Sequence, residues 1–458
     1  MERKIAWEKY SQEEMDKVFT FAEGYRQFLS HGKTERECVK LAVAEAKAHG
    51  YEDLNDVIAA GKTLKAGDKV YSVCMGKTLA MFQIGEEPLE NGMNIVGAHI
   101  DSPRIDLKQN PLYEDNDMAM FDTHYYGGIK KYQWVALPLA LYGVVAKKDG
   151  TTVDIAIGDD HGDPVFGISD LLPHLAREQM AKTAAKIIEG EDLNLLIGSI
   201  PVKGEEKEAV KKNILAILKE KYDIEEDDFI SAELEVVPAG AARDYGFDRS
   251  MIGGYGHDDR VCAYPSYKAM FELGSVKRTA VCLLVDKEEI GSVGATGMTS
   301  FYFENTVAEV INACGDYSDI KVRRALNNSR MLSSDVSAGF DPNYPSVMEK
   351  NNSAFLGKGL TFNKYTGSGG KSGSNDANAE YVALVRKIMD DADVTWQTAE
   401  LGKVDVGGGG TIAYLMAKYG MNVIDSGVPV LSMHAPWEII SKADLYEALK
   451  GYIAFLNA

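Results

Sequence analysis

Apolar and polar positions follow two periods along this chain, and the switches between them mark out its elements. Ser11-Gln-Glu-Glu14 has the form of a capping box, and Val18, Phe21 and Tyr25 behind it recur at helical spacing. A second helix is expected over 34–49, stopped by Gly50. Residues 70–74 and 78–84 read as short apolar strands joined across Met75-Gly76-Lys77, a hairpin signal. The run 93–98 reads as a buried strand that delivers His99-Ile-Asp101-Ser-Pro103 at its end. From about 104 the character changes. Strands are expected over 139–145, 152–157 and 229–237, with helices over 171–189 and 205–221. A helix through Met270 should follow Gly253-Gly254-Tyr255-Gly256, and a buried strand should occupy 281–285. Beyond it come a helix from about Phe301, a Gly- and Ser-rich mobile-loop candidate over 365–378, and Gly407–Gly410 opening onto a helix through Tyr419. One or two strands within 423–433 end at His434, and a last helix starts with Ser441 as its cap. Strands alternating with helices predict an α/β fold, a sheet covered on both faces.

The motifs that carry chemistry lie on either side of the middle third. Residues 104–244 are therefore expected to form an inserted, β-rich domain, with 1–103 and 245–458 as two segments of the principal one. A chain of 458 residues is long enough for two or three domains. Its 45% apolar content supports a substantial core. The net charge of −20 argues against nucleic acid or an anionic membrane as partner, and implies that any positive centre comes from bound cations. Five scattered cysteines with no C-x-x-C pair suit small buried hydrophobes in a reducing compartment. The first residues lack the apolar core of a signal peptide, so a cytoplasmic location is expected.

Glu288 and Glu289 stand side by side just beyond the buried strand 281–285. Two carboxylates there are costly unless something binds them. Neighbours on an extended segment point to opposite faces, so one can hold a metal while the other stays free to move protons. The pattern recurs: His99, Asp258, Glu289, Asp335 and His434 each follow an apolar run at a strand or loop end. In open α/β sheets those ends are where sites form. Taken singly, each has an ordinary reading, as a turn residue, a helix cap or half of a surface ion pair. Together, two imidazoles and three carboxylates suit zinc, cobalt or manganese. Five ligands exceed the needs of one tetrahedral zinc, whereas a carboxylate shared between two ions settles the count. Asp259 competes with Asp258 for this role, and His257 is a further imidazole beside them.

His99-Ile-Asp101-Ser-Pro-Arg104, Asp258-Asp259-Arg260, Glu288-Glu289-Ile-Gly-Ser292, Ser334-Asp335 and Met433-His434 resemble the motifs of the aspartyl aminopeptidase and vacuolar aminopeptidase I family of dinuclear-zinc exopeptidases. The likeness extends into the inserted region through Tyr126-Gly127-Gly128 and Leu172-Pro173-His174-Leu175-Ala176. The glutamyl-aminopeptidase-like family of tetrahedral assemblies shares some elements but lacks the Pro-His-Leu-Ala segment. The resemblance implies a three-layer mixed-sheet catalytic domain split by an oligomerisation insert, and a dimer-based dodecamer. It assigns His99, Asp258 and Asp335 to one zinc and Asp258, Glu289 and His434 to the other. Glu288 would be the general base that then protonates the departing amine. Asp101, two residues beyond His99, can accept the imidazole N–H and fix its tautomer. His174 would reach the active site of a neighbouring subunit, and Gly409 and Gly410 would approach a peptide with a free N-terminus through bare backbone. A deacylase of acylated amino acids and a catalytically silent shell protein are the alternatives. An acid-selective pocket would need a cation, and Lys364, Lys371, Lys403 and Arg330 are the candidates; broad or neutral specificity is expected.

Overall fold

Four parallel strands, Ala280–Val285, Asn94–His99, Arg330–Ser334 and Asn422–Gly427, run side by side through the middle of a nine-stranded mixed sheet. The computed structural model describes residues 3–315 and 317–458. Ala280–Val285 is a continuous apolar run, as suits a strand covered on both faces, and it is buried at every position. Thr78–Gln83, Lys69–Cys74 and the two-residue strand Glu52–Asp53 extend one edge, and Leu360–Asn363 and Trp396–Thr398 the other. Alternate residues feed two cores. Cys282 and Leu284 face one that includes Tyr25, Val39, Tyr267, Val385 and Tyr452, from Gln12–His31, Glu35–Ala48, His257–Phe271, Ala379–Asp391 and Lys442–Leu456. Val281, Leu283 and Val285 face another built by Leu54–Ala59, Tyr302–Ala313, Asp319–Asn327 and Ala413–Ala417. Helices thus cover both faces of the sheet, giving three layers.

The first helix is capped as expected: the Glu14 N–H donates to Ser11 Oγ at 3.3 Å, and the Ser11 N–H to Glu14 Oε2 at 2.8 Å. A smaller five-stranded sheet joins Arg243–Tyr245, Met251–Gly254, Glu438–Ser441, Pro429–Leu431 and Ser337–Ala338; apart from Pro429–Leu431, which falls in the stretch 423–433, these had no clear signal in the sequence. Its strands are two to four residues long, too short for an alternating pattern to register. Among the described residues, no helix is long and apolar enough to cross a membrane.

The chain divides into two compact units. The first holds the residues up to Asp101, Ala242–Met433 and Glu438–Ala458, and contains both sheets above. The second comprises Ser102–Ala241 with the four residues His434–Trp437. Its six-stranded antiparallel sheet runs Thr152–Ile157, Leu139–Ala146, Ala232–Pro238, Arg104–Asp115, Met118–Tyr126, Leu195–Gly198, with the helix Ala209–Tyr222 beside it.

Three expectations need correction. The helix expected over 171–189 is only the short turn Arg177–Met180 with 3-10 turns at Ala184–Lys186 and Gly190–Asp192. Leu171, Leu172, Leu175 and Met180 are all more than half exposed, so no apolar stripe is buried to hold a long helix. The helix after the glycine run covers only Ala413–Ala417, not the stretch to Tyr419. Ser441 stands at the N-cap of the last helix, but its buried hydroxyl makes no capping bond.

Candidate metal centre

His99 and Val285 are register partners at the ends of neighbouring parallel strands, and the Ile100 N–H donates to the Val285 carbonyl at 2.9 Å. The segments beyond them therefore leave the sheet level with each other, over its carboxyl edge. The His99 ring is buried, with Nε2 3.1 Å from Asp258 Oδ1 and 3.9 Å from both Glu288 Oε2 and Asp335 Oδ1. Its Nδ1 lies 3.0 Å from the Asp101 carbonyl and 3.3 Å from Asp101 Oδ1. The same Asp101 carboxylate accepts the backbone N–H of Glu288 at 3.1 Å and of Glu289 at 3.2 Å. One buried side chain thus holds both the ring and the glutamate segment.

That grip changes the expected backbone. Glu288 and Glu289 are not neighbours on an extended segment; they occupy the 3-10 turn Glu288–Ile290, entered through Lys287 at φ 70° and left through Gly291 at φ 92°. The turn directs two successive N–H groups at one carboxylate, which an extended chain cannot do. Both glutamate side chains are half-buried.

Asp258 sits at the start of His257–Phe271, after Gly256 at φ 80°, where the Asp258–Asp259 peptide is cis. Its N–H donates to Glu438 Oε2 at 3.1 Å. Glu438 escaped sequence reasoning; the available signal was a carboxylate opening the apolar strand Glu438–Ser441 four residues beyond His434. Asp335 donates its N–H to the Ser426 carbonyl at 3.0 Å. Gly427 allows that approach, since a Cβ there would fall 1.8 Å from the Asp335 carbonyl.

Two sets of metal-competent atoms form in this first unit, each within 4.8 Å: His99, Asp258 and Asp335, and His99, Glu288 and Glu289. Among the described residues neither His257 nor Asp259 joins any such set. The His257 Nδ1 lies 2.8 Å from the Tyr25 hydroxyl, and burial pushes its pKa down to about 3, so the ring is a neutral core residue. Burial pushes the Asp259 carboxyl well above its ordinary range. Burial also opposes a charge on His99, but hydrogen bonds to Asp101 and Asp258 outweigh it and hold the ring well above its usual value. Asp335 is likewise pushed well up, first by burial and next by the Glu288 carboxylate. Carboxylates crowded around one imidazole in a buried site fit a divalent cation, which offsets the repulsion that burial magnifies.

The glycine run lies on the same unit. Gly408 has φ 111°, and a Cβ there would meet the Gly367 carbonyl at 2.0 Å; the Gly367 N–H donates to the Gly409 carbonyl at 2.9 Å. Gly410 is open: a Cβ built there would meet nothing nearer than the Gly373 carbonyl at 3.8 Å. At the end of the run, Thr411 Oγ1 lies 2.5 Å from Asp425 Oδ1, a carboxyl that burial pushes up to about 7. In the second unit, His434 Nδ1 lies 2.9 Å from the Gly128 carbonyl, and His174 is exposed on an irregular stretch.

A mixed α/β sheet with helices on both faces thus carries, at its carboxyl edge, a histidine–carboxylate cluster of the kind that holds a catalytic divalent metal. Residues 28–456 match the family described as "Aminopeptidase I zinc metalloprotease (M18)". The chain is 65% identical over 457 residues to a "Probable M18 family aminopeptidase 1" of Clostridium acetobutylicum, covering 100% of this chain and 98% of that one. It is 47% identical over 462 residues to the protein of the same description from Thermotoga maritima, covering 100% and 99%. Crystal structures agree. Aminopeptidase I from Clostridium acetobutylicum superimposes with a TM-score of 0.94 at 62% identity, over the full length of both chains. The M18-family enzyme from Thermotoga maritima gives 0.95 at 45%, covering 100% of this chain and 99% of that one. The chain belongs to the M18 family of zinc metalloproteases, and it is a zinc-dependent aminopeptidase.

Proposed function

We propose that the chain binds two zinc ions and removes the N-terminal residue of peptides, with Glu288 as general base and then general acid. One observation carries the reading. Within the first unit, His99 joins one metal-competent set with Asp258 and Asp335 and another with Glu288 and Glu289, so donor atoms for more than one cation gather around a single imidazole. His99, Asp258, Glu289, Asp335 and His434 would hold the pair, with Asp258 shared between the ions, and they also accept cobalt or manganese. When bound, zinc lowers the pKa of water and polarises the scissile carbonyl. Glu288, half-buried beside His99, takes a proton from the attacking water and delivers it to the departing amine. Asp101 orients His99 and the glutamate turn. Gly409 and Gly410 receive the peptide backbone, and the site's carboxylates receive its free α-ammonium, which restricts cleavage to N-terminal residues.

Self-association belongs to the same reading. The S. cerevisiae mApe1 dodecamer shares the fold at a TM-score of 0.74 and 20% identity, covering 95% of each chain. In the second unit Leu171, Leu172, Leu175 and Met180 are exposed around His174, apolar surface that a subunit contact would cover. We assign that stretch to a dimer-based assembly in which His174 reaches a neighbour's site. The five free cysteines suit a cytoplasmic location.

The test is an assay of metal-analysed protein on leucine and aspartate anilides and on N-acetyl-leucine. An anilide should be hydrolysed, N-acetyl-leucine should not, and removal of zinc by a chelator should abolish turnover until zinc is restored. The reverse preference would identify a deacylase, and a zinc-loaded protein inert to all three would be a silent shell.

A further inference from the structure

Beside the glycine run lies a cavity of about 260 Å³ bounded by Tyr365, Lys371, Glu400, Lys403, Asp405 and Gly407. Its walls are two loops in backbone contact, since the Gly367 N–H bonds to Gly409 and Gly408 has no room for a side chain beside Gly367. A side chain projecting from a peptide held at Gly409 and Gly410 has this cavity as its adjoining space. It would have room for a leucine- or methionine-sized group.

The charges around it cancel. Two lysines, Lys371 and Lys403, and two carboxylates, Glu400 and Asp405, line the cavity together. Lys371 Nζ is also 3.0 Å from Asp376 Oδ2, and the other Asp376 oxygen takes Lys364. The Lys371 ammonium lies 3.7 Å from the Tyr365 ring centroid, and the Tyr365 hydroxyl donates to Glu400 Oε1 at 2.6 Å. Three lysines therefore stand against three carboxylates, and two of the lysines share one aspartate. Arg330, the remaining candidate cation, opens the strand whose far end leads to Asp335, about 16 Å away along the strand.

We infer that this cavity selects neutral N-terminal side chains, and that Asp376 is a specificity-determining residue that keeps Lys371 and Lys364 from acting as a receptor for an acidic one. The inference deepens the proposed aminopeptidase reading and rests on its placement of the peptide at Gly409 and Gly410. Asp376 is a positioning residue: it acts on substrate only through the lysines it holds. An acidic side chain entering the cavity must displace a carboxylate already paired with Lys371, and it meets Glu400 and Asp405 as well. The pairs are exposed, so the penalty is modest and falls with added salt.

Anilides of leucine, glutamate and aspartate, assayed at low and high salt on the zinc-loaded wild type and on Asp376→Asn, test this. The wild type should favour leucine. Asp376→Asn should raise kcat/KM for the acidic anilides relative to leucine by about two- to five-fold at low salt. The gain should shrink at high salt and disappear in Asp376→Asn/Lys364→Met/Lys371→Met. A wild type that prefers acidic anilides, or an unchanged ratio in Asp376→Asn, overturns this inference and leaves the aminopeptidase reading standing. A protein that turns over no anilide overturns both.

Discussion

The Asp101 carboxylate faces His99 Nδ1 with one oxygen and uses both oxygens to accept the N–H groups of Glu288 and Glu289. A single side chain thereby fixes an imidazole on one strand end and a glutamate turn on the next. Asp101→Ala would free both at once. Groups that orient a ligand in this way are worth about 10–100-fold in metal affinity. Zinc affinity of Asp101→Ala, measured by competition with a chromophoric chelator, should fall within that range while the thermal transition stays cooperative. Wild-type affinity in the variant would show that His99 and the turn hold their places without it. At this scale the sequence exposed His99, Asp258, Asp335 and the glutamate pair, because each follows an apolar run and the contrast is local. It concealed Glu438, whose partner Asp258 is 180 residues away, and the Thr411–Asp425 contact, because neither pairing leaves a periodic trace.

Longer elements with a buried face were legible; strands of two to four residues and stretches without a buried face were not. The helix behind Ser11 and the strand Thr152–Ile157 follow the predicted periods because packing enforces them. Residues 171–189 carry enough apolar side chains to suggest a helix, yet Leu172 and Leu175 face solvent and the chain breaks into short turns. Composition predicted an element, but the packing face that would sustain it is absent from the subunit. That contrast supports a contact surface for the stretch. His174→Ala should keep the oligomeric state of the wild type by sedimentation and lose kcat on leucine anilide. Full activity in the variant would place His174 outside the site.

Across the whole molecule, the alternation of strands and helices indicated a covered α/β sheet, and the four parallel central strands with helices on both faces agree with it. What the pattern could not supply was the order of the strands. Ala280–Val285 sits between Thr78–Gln83 and Asn94–His99, and that insertion brings Glu288 beside His99 from almost two hundred residues away. The close register of the two strand ends then makes the choice between ligand and base a matter of a few ångströms. Glu288 belongs to a metal-competent set with His99 and Glu289, whereas the proposed mechanism requires it to remain off the metal. The most direct measurement is the zinc content and turnover of Glu288→Gln beside the wild type. The account predicts two zinc ions per chain in both proteins, with kcat on leucine anilide lowered about 10²–10⁴-fold in the variant. Loss of a zinc ion from Glu288→Gln would make Glu288 a ligand, and near-wild-type turnover would remove it from the chemistry; either result contradicts the account.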